Sequence, residues 1–185
     1  MGAESVYLKT VVRGLKGHYS QAEDTEKIII TAASVAAGAS AVGGVIPVLA
    51  IPGMIVSCFG AVWVMYAKIC TCLGLNLKEG LLKILARAAL ANIVANLAGA
   101  FAAEIVFAFV PGASVIAGAA LTFCTVYLAG LIFLKTILSL AKKGKSGAAL
   151  NHLSDSEFEN ILKEQKVDKS NLKDAKNAYK NDKQN

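Results

Sequence analysis

The chain has 185 residues, enough for one domain or one compact membrane unit with tails. Hydrophobic residues make up 55% and charged residues only 17%, against ~25% charged in ordinary soluble domains, which argues against a soluble enzyme of this size. Charge is also segregated: the stretch 28–140 holds only Lys68, Lys78, Glu79, Lys83, Arg87, Glu104 and Lys135, so the net charge of +6 reads as the basic flanks of a membrane protein and not as a nucleic-acid surface.

Residues 1–27 form a cytoplasmic N-terminal segment. Val6, Leu8, Val11, Val12, Leu15 and Tyr19, interleaved with Lys9, Arg13 and Lys16, predict a short amphipathic helix for an anionic membrane surface or a partner. Glu23, Asp24 and Glu26 precede the first apolar run, which argues against a signal peptide, and Val6 stands where myristoylation wants Ser or Thr.

Residues 28–140 predict an all-α integral membrane domain of two helical hairpins, 28–73 and 88–140, joined by a basic loop 74–87. Ile28–Ala67 carries no Asp, Glu, Lys or Arg, more than the ~20 apolar residues of one crossing. Pro47 and Pro52-Gly53 divide it into Ile28–Ile46 and Met54–Leu73, because proline removes a donor and clashes with the preceding turn. Pro111-Gly112 divides the second half into Ala88–Val110 and Ala113–Leu134, with a weak repeat between Ala50–Gly53 and Phe109–Gly112. Four membrane helices follow, with uncharged apices.

Lys78, Lys83 and Arg87 of the middle loop, with the basic residues of both flanks, place the loop and both termini in the cytoplasm, at the inner membrane if the cell is bacterial. Runs of nineteen to twenty-three residues span roughly 28–34 Å, which favours full crossing over re-entry on one face. Rows of small residues at spacing four, Ala36-Ser40-Gly44, Ala91-Ala95-Gly99-Ala103 and Ser114-Gly118-Thr122, suit internal helix packing, with contacts in a homo-oligomer as the alternative.

Asn92, Asn96 and Glu104 form a drifting polar stripe on one helix, and Glu104 is the only acidic residue within a span. Lys68 lies at a different depth, so Glu104 reads as a structural carboxyl, with an ion or proton path as the alternative. Cys58, Cys70, Cys72 and Cys124 have neither metal nor redox spacing, and no catalytic, cofactor or metal motif is present.

Residues 141–185 comprise a basic linker and a soluble C-terminal tail. Ser154 and Glu157 match a capping box for a helix from Asp155 to about Lys166, and Ser170 is placed to cap a second helix carrying Leu172, Ala175 and Tyr179. The two glycines of the linker predict a separable tail.

Ile46-Pro47-Val48-Leu49-Ala50-Ile51-Pro52-Gly53, Met65-Tyr66-Ala67-Lys68-Ile69, Leu73-Gly74-Leu75-Asn76-Leu77 and the later Val110-Pro111-Gly112-Ala113-Ser114 carry a resemblance. Over Thr31–Lys135 the chain resembles a family of membrane domains of unknown function found beside or fused to small GTP-binding proteins. Members often place Asp or Gln after the first Pro-Gly, where Met54–Val64 has neither. The resemblance implies a membrane anchor or partner for a separate GTPase, without a catalytic site. The function expected is therefore a non-enzymatic membrane protein that anchors, recruits or responds to a cytoplasmic partner. A pore-forming or toxin-like inserting protein and a small transporter using Glu104 are the alternatives.

Overall fold

The computed structural model describes residues 6–42, 50–108 and 114–183, with side chains described outside 41–57, 98–117, 148 and 151–152. The described residues form seven α-helices and no strand: α1 (Val6–Lys16), α2 (Asp24–Val42), α3 (Ala50–Cys72), α4 (Glu79–Ala108), α5 (Ser114–Lys142), α6 (Asp155–Lys163) and α7 (Lys169–Asp182), with a 3-10 turn at Gly147–His152. Pro47, Pro111 and Gly112 lie outside the described residues.

Several boundaries differ from the sequence expectation. Pro52 and Gly53 fall inside the first turn of α3, where a missing N–H breaks no intrahelical bond. The basic loop shrinks to the segment before Glu79, and Lys83 and Arg87 belong to α4. Glu79, Lys83 and Arg87 recur every four residues on the outer face of α4, while Leu81, Leu82, Leu85 and Ala86 are buried beneath them. α3 and α5 end alike: Gly74 and Gly144 take φ of +66° and +77°. Leu75 N–H then donates to Cys70 O at 2.8 Å, and Lys145 N–H to Leu140 O at 2.9 Å, which closes both helices with the left-handed cap that glycine favours.

α5 is the axis of the fold. Every other helix packs on it, and Phe123, Val126 to Ala129, Leu131 to Leu134 and Ile137 have no exposed surface or almost none. Tyr66 of α3 stacks on Phe133 at 4.1 Å and donates its hydroxyl to Ala129 O at 2.9 Å, and Phe158 of α6 lies 6.5 Å from Phe133 on another side. α2 crosses α5 at Gly130, where an added methyl group would meet Ile29 Cγ1 at 2.7 Å.

Two described stretches, Glu79–Leu97 and Gly118–Lys142, are long and apolar enough to cross a membrane by length and composition. A helix that is apolar all round is one whose whole circumference is covered. In α5 the cover comes from other helices of this chain, three of them charged on their outer faces.

The tail is part of this packing. Phe158, Ile161 and Leu162 of α6 and Leu172, Ala175 and Ala178 of α7 are buried, α6 against α4 and α7 against α5. The linker glycines make a turn and do not free the tail, because its apolar faces have a partner surface on the bundle. Ser154 accepts from Glu157 N–H at 3.2 Å as expected, while the Glu157 carboxylate turns to Lys145 at 2.6 Å. The cap of α7 is Asp168 and not Ser170: its carboxylate accepts from Ser170 N–H and Asn171 N–H, and the Asn171 side chain reaches back to Asp168 N–H.

Candidate functional site

Charged helices surround the lower part of the central bundle, and among the described residues their contacts mark how far that belt is followed. On α2 it ends at Ser34, whose hydroxyl donates to Asp182 of α7 at 2.8 Å. On α5 it ends near Phe123, against which Tyr179 of α7 packs at 5.1 Å. On α4 it ends at Asn92 and Asn96. The Asn92 amide donates to Lys163 O at 3.1 Å and Gln165 O at 3.2 Å, closing the last turn of α6. Asn96 donates in turn to Asn92 O and Oδ1, each at 2.8 Å.

Asn92 is therefore a helix clasp between α4 and the tail, and Asn96 extends its hydrogen bonding by one turn of α4. Glu104 lies in the upper part of α4, and its side chain falls outside the description. Lys83 pairs with Glu79 at 2.6 Å and sits 4.7 Å over the Trp63 ring, and Arg87 lies 5.4 Å from the Phe59 ring. Two of the three loop cations thus tie α4 to α3. Lys78 precedes α4 and is exposed. The small-residue rows divide: Gly118 and Thr122 are buried, whereas Ala91 and Ala95 face outward.

Beyond the belt α2, α4 and α5 continue as helices to Val42, Ala108 and Ser114. At 1.5 Å per residue these extensions measure roughly 12–14 Å on α2 and α5, about half the ~30 Å hydrocarbon thickness, and about 24 Å on α4 from Asn92. Within 35–42, 50–58, 97–108 and 114–122 the only Asp, Glu, Lys or Arg is Glu104.

The other distinctive surface is on α7. Its inner face is Asn171, Leu172, Asp174, Ala175 and Ala178. Its outer side carries Lys169, Lys173, Lys176 and Lys180, continued by Lys183, at alternating spacings of four and three that keep them on one side of the helix. The two acidic groups of the helix are engaged elsewhere, Asp174 with Val6 N–H and Tyr127 and Asp182 with Ser34. The 4-3 lysine spacing is a sequence signal that the apolar positions of the same helix overshadow.

Cys58, Cys70 and Cys124 are buried free thiols and Cys72 is half-buried. Among the described residues no cluster of His, Cys, Asp and Glu could hold a metal ion. No family model, curated protein or solved structure matches this chain.

Proposed function

We propose that this chain is a non-enzymatic, membrane-seated docking protein. The ends of α2, α3, α4 and α5 enter one leaflet from the cytoplasmic side and return on the same face, while the belt of α1, α6 and α7 stays in water. The observation that supports this is that the described contacts to the belt reach Ser34, Asn92 and Phe123, and that the helix segments beyond these positions carry no charged residue but Glu104, over about one leaflet on α2 and α5. Re-entry replaces the four full crossings expected from helix length, since the lower halves of those apolar runs are buried by protein.

The lysine side of α7 is the surface that receives the partner. Its chemistry selects an acidic face, and the sequence resemblance makes a small GTPase the partner class of choice. Such contacts accelerate and orient docking, and they weaken as salt rises.

The test uses reconstituted protein with all four native cysteines replaced and single cysteines introduced at Asn76 and Ala50. Asn76 should label from the cytoplasmic side and Ala50 from neither. Labelling of Ala50 from the far side would restore full crossing. Replacing the five lysines with Gln should leave liposome flotation unchanged and reduce salt-sensitive capture of the GTPase about tenfold or more.

A further inference from the structure

Between α2 and α3, on a side that no residue of α1, α6 or α7 lines, lies a hollow of about 460 Å³, within the usual ~300–1,000 Å³ of small-ligand sites. Its walls are almost wholly apolar: Ile28, Ala32 and Val35 from α2, and Ala61, Val64 and Met65 from α3. Val35 is 68% and Val64 46% exposed, which leaves two large aliphatic side chains open on the same hollow.

The charge lies at one end. Lys27 and Lys68 close the hollow at the base, with Asp24 beside them. Neither lysine forms an ion pair among the described residues, and the three groups together leave one positive charge. Below this mouth a second hollow of about 480 Å³ continues past Trp63 and Ala67, sharing Ile28, Val64 and Lys68 with the first.

We propose that this hollow binds one anionic lipid, with the headgroup between Lys27 and Lys68 and one acyl chain along the apolar wall toward Val35 and Gly60. An apolar trough with cations at a single end matches an amphiphile of that polarity, and it fits neither an acidic peptide, which needs charge along its length, nor a second copy of this basic chain. The chain of the bound lipid points toward the charge-free helix ends, the direction it takes in a leaflet those ends enter.

Trp63 is the only tryptophan; it lines the lower hollow at the headgroup end, where the two hollows share Ile28, Val64 and Lys68, so bromine near the head of the bound chain quenches it. The full-length protein in mild detergent is titrated with a single-chain lysophosphatidylglycerol brominated along its chain, and in parallel with the brominated lysophosphatidylcholine. The anionic lipid should quench Trp63 saturably and bind about tenfold more tightly than the zwitterionic one. Lys27→Gln with Lys68→Gln should remove that preference. Gly60→Leu should abolish saturable quenching without altering the helical spectrum, because a Cβ at Gly60 meets nothing within 4 Å and a longer side chain occupies the hollow. Equal affinity for the two lipids, or quenching that survives Gly60→Leu, would overturn the assignment. The measurement needs no bilayer, so a chain that failed to enter liposomes would sink the docking proposal while leaving this one to its own result.

Discussion

Tyr127, in the middle of the central apolar helix, donates its hydroxyl to Asp174 Oδ2 at 2.9 Å, while Val6 N–H donates to the other oxygen of that carboxylate at 2.8 Å. One buried acid thereby joins the first helix, the central helix and the last. Replacing Asp174 with Ala leaves the Tyr127 hydroxyl unpaired in a dry site, at about 1–3 kcal/mol, and also removes the bond from the part-buried Val6 N–H. Tyr127→Phe removes only one donor and should cost about 1–2 kcal/mol. Denaturant unfolding followed by circular dichroism should rank Asp174→Ala below Tyr127→Phe and both below the parent protein; equal stability of all three would show the carboxylate to be incidental.

Deleting residues 150–185 should abolish cooperative unfolding. The deletion removes Phe158, Leu162 and Leu172, each worth about 1.5–3 kcal/mol of burial, and it uncovers Phe133 and Tyr127. The total approaches the ~5–15 kcal/mol by which domains are stable. A truncated chain that melts within a few degrees of the parent would restore the separable tail that its linker glycines suggest.

The crossing of α2 over α5 has no spare room. Gly130→Ala should destabilise by about 1–3 kcal/mol, since the new methyl group meets Ile29 Cγ1 and also Ile29 Cδ1 at 2.9 Å. Combining it with Ile29→Ala should recover part of the loss relative to the sum of the two single changes, which thermal unfolding of all four proteins measures as a coupling.

At Asp168 the Ser170 hydroxyl first, then the Asn171 and Ser170 backbone N–H groups and the Lys135 charge, hold the carboxyl below its usual range. The folded state favours the ionised form, so the cap's contribution is complete above the unfolded pKa of ~3.9 and is lost as pH falls through the lower folded value. Asp168→Ala should cost about 1 kcal/mol at neutral pH. The gap between variant and parent should close on acidification, and amide exchange at Ser170 and Asn171 reads it locally. A gap that persists at pH 2 would assign the cost to something other than the ionised cap.

Composition made the helical class legible, and local signals made parts of the flanks legible. The apolar positions of α1 and the Ser154 cap needed only their near neighbours in sequence. What could not be read was the destination of the apolar surface. Leu131, Phe133 and Ile137 look the same in sequence whether lipid or Tyr66 and Phe158 cover them, so length alone does not distinguish a central protein helix from a crossing. Asn92 misled for the same reason: its partners, Lys163 O and Gln165 O, lie some seventy residues away, and nothing local announces them. Asp168 and Ser170 were both suitable caps, and the choice rests on the reciprocal bond from Asn171 to Asp168 N–H.

The bond between Val6 N–H and Asp174 joins positions 168 residues apart, so the sleeve around α5 closes only when almost the whole chain has been made. Until α7 leaves the ribosome, Phe123 and Tyr127 lack the cover of Tyr179 and Asp174. A nascent chain in that state leaves apolar surface of α5 uncovered, which makes it prone to association until α7 docks.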